Sequence, residues 1–240
     1  MRGITTDDDM KILEKIALMQ SNKLNNSSAT IVFFGDSVTQ GCFEAGVCES
    51  ESTYVAKFGK TLSVFYPSVR FNIVNSGVGG NNTTDGLARF DRDVAVFLPD
   101  LVVVGFALND ACGGEAYLDK YEKNLTEICE KVNELHAECV VLTSNMMCTK
   151  ATDRVADGMK NLIERFAEIQ NNGLLDRIVE TEKNVAAKCG AKICDVYSCW
   201  KQMSANAVDT TALLANGLNH PMREMHDLIA YKLIETFFSD

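Results

Sequence analysis

An α/β fold built on a parallel, doubly wound sheet is what this sequence predicts, and three observations predict it. Five short apolar runs rich in Val, Ile and Phe recur along the chain, at Thr30 to Phe34, Phe71 to Val74, Leu101 to Phe106, Cys139 to Thr143 and Lys192 to Val196. Their apolarity is continuous rather than alternating, as in a strand buried on both faces. Helical patterns lie between the runs, and strand alternating with helix argues for parallel crossover units. Polar segments rich in Gly, Asn and Ser follow three of the runs, at the carboxyl ends where such a sheet places its chemistry.

Taken in order, the chain opens with a helical pattern over Asp8 to Gln20, where Met10, Leu13, Ile16, Ala17 and Gln20 recur at three- and four-residue spacing and form one stripe. Ser21 to Ala29 is polar and reads as a connector into the first strand. Helices are expected at Thr53 to Phe65 after the first strand, at Thr84 to Phe97 after the second and at Tyr117 to His136 after the third. The stretch Asp153 to Cys189 is long enough for two helices, split near Asn171-Asn172-Gly173, and a last helix covers Arg223 to Phe237. With three prolines, no internal repeat and no linker of distinct composition, one domain is expected over residues 1–240.

A content of 46% hydrophobic and 23% charged residues is that of a soluble globule. No stretch approaches the roughly 20 apolar residues of a membrane span, and Met1 to Asp9 lacks an apolar signal core, so a cytoplasmic protein is expected. The nine cysteines are odd in number and scattered without a Cys-x-x-Cys pair, which fits free thiols in a reducing compartment better than a disulfide framework or a zinc site. A formal net charge of −10 disfavours nucleic acid and anionic membranes as partners and leaves a neutral small molecule open.

The first polar segment, Gly35-Asp36-Ser37-Val38, sets a hydroxyl on a sharp turn at the end of a buried strand. By itself it is ordinary turn and helix-cap chemistry. Asn75-Ser76-Gly77-Val78-Gly79-Gly80-Asn81 follows the second run, Gly105-Phe106-Ala107-Leu108-Asn109-Asp110 the third, and Asn219-His220-Pro221 lies near the C-terminus. Gly77-Val78-Gly79-Gly80 could pass for a phosphate loop, but position 82 is Asn and neither the full Gly-x-Gly-x-x-Gly pattern nor a Walker lysine is present. Of the three histidines, His136 ends a helical pattern and His226 falls inside the last helix, six residues past His220 and on a different face. Elimination leaves His220, in a loop before Pro221, as the candidate base.

Ser, Gly, Asn and His in this order and at these intervals resemble the four sequence blocks of the GDSL, or SGNH, hydrolase family, over nearly the whole chain. The resemblance implies a flavodoxin-like three-layer α/β/α sandwich with strand order 2-1-3-4-5, and hydrolysis of a carboxylic ester through an acyl-serine intermediate with no metal or organic cofactor. It implies Ser37 as nucleophile, His220 as base, and the Ser37 and Gly80 N–H groups with the Asn109 side chain as oxyanion donors. A serine hydroxyl needs both a base and such donors, because it is a poor nucleophile at its free pKa. The substrate it implies is a small ester, with a short acyl or acetyl group favoured and acylated carbohydrate among the candidates. Phe43, Tyr54 and the loop from Cys112 to Glu115 are expected to border the pocket.

The sequence departs from the family at one position. The usual Asp three residues before the final histidine is Gly217 here. Asn216, Asn219, a backbone carbonyl near Gly217 or Asp209 could orient the ring instead, and a Ser–His dyad with a backbone or amide acceptor is expected. The alternative is a catalytically silent ligand-binding member of the same fold that lost the triad acid.

Overall fold

The computed structural model describes residues 10–24 and 26–239. Strands β1 (Ala29–Gly35), β2 (Phe71–Gly77), β3 (Leu101–Gly105), β4 (Glu138–Leu142) and β5 (Lys192–Cys194) form one sheet in the order β2-β1-β3-β4-β5, every pairing parallel. The order and the α/β class are those expected. The helices are α1 (Ile12–Gln20), α2 (Ser37–Gln40), α3 (Tyr54–Phe65), α4 (Thr83–Asp93), α5 (Leu108–Ala111), α6 (Leu118–Glu134), α7 (Ile163–Asn171), α8 (Leu174–Cys189), α9 (Val196–Ala205) and α10 (Arg223–Phe238).

Strand β1 is buried along its whole length, and its alternating side chains explain the layers. The Phe33 ring meets Tyr54 and Phe58 of α3 edge-on at centroid distances of 5.8 and 5.5 Å, while Phe34, on the other face, meets Phe90 of α4 at 5.8 Å. Helix α10 joins α3 through Phe58 and Phe237, while α6 packs on α4 and α8 packs on α6.

Four expectations about helices are corrected. The buried stripe of α1 is Ile12, Ile16 and Met19, whereas Ala17 and Gln20 face solvent. The rotation follows from anchors outside the stripe, Lys15 to Asp100 at 2.6 Å and the Ile12 N–H to Glu138 at 2.7 Å. Met1 to Asp9, including the expected helical start at Asp8, lies outside the described residues. Helix α4 ends at Asp93, because the chain tightens into a 3₁₀ turn at Ala95–Phe97 and Leu98 takes a positive φ of 47°. Helix α7 begins only at Ile163, after a 3₁₀ segment, although the split at Asn172-Gly173 falls where expected. Helix α9 was not foreseen; Asp195 caps it by accepting from Ser198 N–H, and the fully buried Trp200 anchors it.

The three strands that carry the candidate motifs end level. Gly35 pairs with Gly77 on one side and Gly105 on the other, so a row of glycines crosses the carboxyl edge of the sheet. At Gly77 the absence of a side chain is required, since a Cβ there would lie 2.2 Å from Gln40 N. That closeness lets α2 fold down onto the end of β2.

Arg89 ties this edge together from α4. Its guanidinium donates to the carbonyls of Gly35 and Ser76 at 2.8 Å each and to Asn81 Oδ1 at 2.8 Å, pairs with Asp93 at 2.9 Å, and lies 4.5 Å above the Phe34 ring. Only Arg has a fork of this span. Arg89→Ala leaves several buried acceptors unpaired and is expected to destabilise the fold by about 3 kcal/mol in urea unfolding. A loss below about 1 kcal/mol would show that the brace is redundant.

Candidate active site

Ser37 is the first residue of α2, directly after the end of β1. Asp36 caps the helix by accepting from Val38 N–H at 2.9 Å, and the Ser37 carbonyl accepts from Gly41 and Cys42 N–H at 3.0 and 2.9 Å. Thr39 Oγ1 and Tyr54 OH, 2.7 Å apart, fasten α2 to α3. Burial pushes the Asp36 carboxyl up to about 7, against the pull of the Val38 N–H. Asp36, Tyr54, Ser144 and Asn145 help line a cavity of about 30 Å³ next to the Ser37 turn, and the buried Ser144 Oγ has no protein partner among the described residues. A space of that size is too small for an acyl chain.

His220 meets Ser37 from a loop 183 residues away. Its Nε2 lies 3.0 Å from Ser37 Oγ and its Nδ1 lies 2.9 Å from the Phe43 carbonyl oxygen. A carbonyl can only accept, so the neutral ring carries its proton on Nδ1 and Nε2 is left to accept from the serine hydroxyl. Burial lowers the His220 pKa below that of a free imidazole, and the Phe43 carbonyl opposes the shift. The ring is therefore neutral, in the base-competent tautomer.

The His220 loop is held by its own amides. Asn216 Oδ1 accepts from the N–H groups of Leu218, Asn219 and His220 at 2.9, 2.9 and 3.0 Å, and its Nδ2 donates to Asn219 Oδ1 at 2.9 Å. Asn145 donates to the Asn219 carbonyl at 2.9 Å. Asn216 and Asn219 thus hold the backbone and not the ring. Asp209 pairs with Lys150 at 2.7 Å and Asp227 with Lys57 at 2.6 Å, both largely in solvent. The acceptor on the ring is a backbone carbonyl, as anticipated in kind, but it comes from Phe43 and not from near Gly217.

On the neighbouring loops, Gly79 N–H donates to Gln40 Oε1 at 2.6 Å, while Gly80, at a positive φ of 78°, keeps an N–H without a partner among the described residues. Asn109 Nδ2 donates to the Asn81 carbonyl at 2.9 Å, which ties it to the same loop. The amide is anchored through one of its NH₂ hydrogens, leaving the other available. Asp110 secures the base of this arrangement by accepting from Thr83 N–H at 3.0 Å and Thr83 Oγ1 at 2.6 Å, and burial pushes its carboxyl up to about 6. Among the described residues, no group of three or more His, Cys, Asp or Glu side chains is placed to hold a metal ion.

From the sequence, Phe43 is expected at the pocket and His226 is set aside as the base, whereas the roles of the Phe43 carbonyl and of Arg223 went unrecognised. Phe43 is fully buried, its ring 5.0 Å from the His226 ring and 4.4 Å below the Arg223 guanidinium, so that its carbonyl is held at His220. Arg223 also pairs with Glu44 at 2.9 Å and Glu49 at 2.5 Å. His226 packs in the core, where its Nδ1 accepts from Tyr54 N–H at 3.0 Å and burial pushes its pKa down to about 3. The Phe43 ring is therefore buried in the core, whereas Tyr54 lines the cavity next to the Ser37 turn. An aromatic followed by two acids, Glu44 and Glu49, with one Arg positioned to reach both, is the signal that was present, but it becomes visible only when the distant segments are brought together.

Gly217 has no room for the missing acid. It sits at a positive φ of 70°, and a Cβ there would lie 2.6 Å from Thr152 Cγ2. Gly217→Asp is expected to cost roughly 1–3 kcal/mol in urea unfolding, from strain and the clash together. Unchanged stability would mean that the loop can accept an acid at this position.

A family model described as the GDSL-like Lipase/Acylhydrolase family matches residues 33–228. An acetylxylan esterase from Geobacillus stearothermophilus is 27% identical over 169 residues, covering 62% of this chain and 76% of that protein. The crystal structure of an acetylxylan esterase from the same organism superposes with a TM-score of 0.70 at 21% identity, covering 89% of this chain and 96% of the other. A lipase/acylhydrolase from Enterococcus faecalis superposes at 0.67, again at 21% identity, covering 86% and 94%. With its sheet order, the level strand ends and the Ser37–His220 contact, the chain belongs to the GDSL-like Lipase/Acylhydrolase family and is an ester hydrolase of that type.

Proposed function

We propose that the chain is a single-domain serine esterase that removes a short acyl group, acetyl above all, from a small or carbohydrate ester through an acyl-serine intermediate. The observation that carries this reading is the relay Ser37 Oγ, His220 Nε2, His220 Nδ1, Phe43 O, with its two contacts of 3.0 and 2.9 Å. Ser37 attacks the acyl carbon as His220 Nε2 takes its proton. The tetrahedral oxyanion is met by the N–H groups of Ser37 and Gly80 and the free Asn109 amide hydrogen. On collapse the alcohol departs with the proton from Nε2, and water, activated by the same nitrogen, releases the acid and restores Ser37.

The acetyl preference draws on the relatives named acetylxylan esterase. A net charge of −10 favours a neutral substrate over nucleic acid, and free cysteines among the described residues suit a reducing, cytoplasmic setting. No helix among the described residues is long and apolar enough to cross a membrane.

A serine-reactive phosphonate is expected to label Ser37 stoichiometrically, with kcat/KM highest for acetate across p-nitrophenyl esters of graded length and acetate released from acetylated sugars. Asn109→Ala should lower kcat by roughly 10²–10³ with folding intact. Absence of both labelling and turnover would favour the silent ligand-binding alternative, to which the lost acid at Gly217 otherwise points.

Because the His220 pKa is lowered, its base form persists below the ordinary imidazole value of about 6.5. Activity should therefore be lost only as pH falls through a midpoint below 6.5, and the same limb should remain in Asp36→Asn, where Asn still caps α2. A midpoint above 6.5, or a limb that vanishes with Asp36, would contradict this assignment.

A further inference from the structure

Between α2 and the 3₁₀ turn at Ser50–Ser52 the chain makes a tight loop, and that loop carries the Phe43 carbonyl. Glu49 N–H donates to the Gly41 carbonyl at 2.8 Å and Phe43 N–H to the Val47 carbonyl at 2.9 Å, leaving Cys42 and Cys48 directly opposite each other in an antiparallel bridge. They form a non-hydrogen-bonded pair, the position where facing side chains come closest and the Cα separation of about 4.5 Å falls within the disulfide range. The two Sγ atoms are 2.8 Å apart, Cys48 is exposed and Cys42 is half-buried. Cys129 and Cys139, by contrast, meet at 3.9 Å inside the core, where no oxidant reaches them.

We propose that Cys42 and Cys48 are a reversible dithiol–disulfide pair that exchanges with low-molecular-weight disulfides and, when oxidised, staples the loop that orients His220. The inference rests on the role of His220 proposed above. In the reduced protein the loop is held from outside by Arg223, through Glu44, Glu49 and the Phe43 ring. Those ion pairs are partly exposed and individually weak, so a covalent closure between residues 42 and 48 takes over their task.

The chemistry balances. The Cys48 thiolate attacks one sulfur of the small disulfide and expels a thiolate, forming a mixed disulfide. Cys42 then gives up its proton, attacks Cys48 Sγ and expels the second thiolate. Two cysteine thiols lose two electrons and two protons, and the small disulfide becomes two thiols. Cys48 attacks first because it is exposed, whereas burial and the Cys48 thiol hold the Cys42 thiol up at about 12. Contact between the two makes the second step intramolecular.

Oxidised glutathione tests the proposal, with the disulfide mapped by peptide mass spectrometry. The wild type and Arg223→Gln should both form the Cys42–Cys48 bridge. Reduced Arg223→Gln should lose about tenfold in kcat with p-nitrophenyl acetate, and oxidation should restore it to within about twofold of wild type. Arg223→Gln with Cys48→Ser should show the loss and no restoration, while Cys48→Ser alone keeps the wild-type rate. Separate glutathione adducts on Cys42 and Cys48, or a mapped bridge without rescue, overturn the proposal. Should Arg223→Gln not fold, cleavage of the wild type after Glu44 by a Glu-specific protease gives the same answer: slower after oxidation supports the staple, and equal rates refute it. A wild type with a mapped bridge but no ester turnover overturns the role of His220 instead.

Discussion

Everything proposed for this site depends on the hydrogen bond from His220 Nδ1 to the Phe43 carbonyl. A ring nitrogen can serve as a base only if the proton sits on the other one, and an acceptor that cannot donate enforces that choice. Replacing a triad Asp by Asn costs about 10⁴ in turnover largely because the amide can present the wrong tautomer. A carbonyl has no such ambiguity. What it lacks is a full negative charge to stabilise the imidazolium, so the cost here is electrostatic and not one of orientation.

That economy moves the demand for precision into the loop. A carboxylate three residues before the histidine is carried by the same segment, whereas Phe43 lies 177 residues away in sequence. Its carbonyl is positioned by ring packing against His226, by the Arg223 guanidinium and by the hydrogen bonds across the Cys42–Cys48 bridge. The same Arg223 opens α10, the helix that also carries His226 and packs on α3. The ring orientation thus depends on the docking of the last helix. Meanwhile Asn216 freezes the His220 backbone by accepting from three successive N–H groups.

The sheet and much of the site were legible in the sequence because they follow from local patterns. Continuous Val, Ile and Phe runs can be satisfied only between two helix layers, and Gly35, Gly77 and Gly105 close three of them at one level. His220 could be reached by elimination among three histidines. Helix α9 escaped because its cap, Asp195, follows the short strand β5 immediately, so that the strand pattern absorbed its first residue. Phe43 and Arg89 escaped for a different reason. Each acts through groups distant in the chain, one by a carbonyl that every residue possesses, and no pattern of side chains announces which carbonyl will be used.

The loss of the acid is therefore not an isolated substitution within an otherwise standard loop. Gly217 adopts a backbone conformation that an aspartate resists, and Thr152 and Val155 occupy the space its side chain would need. The loop is built around the glycine. At the residue before the serine, burial raises the Asp36 carboxyl to about 7, so the negative charge adjoining Ser37 is weakened. With less imidazolium stabilisation available, a site that also reduces the repulsion felt by the oxyanion recovers part of the difference where charge develops. The neutral acceptor on His220 and the partly neutralised Asp36 carboxyl beside Ser37 shift the electrostatic balance in the same direction, from stabilising the base toward stabilising the developing anion.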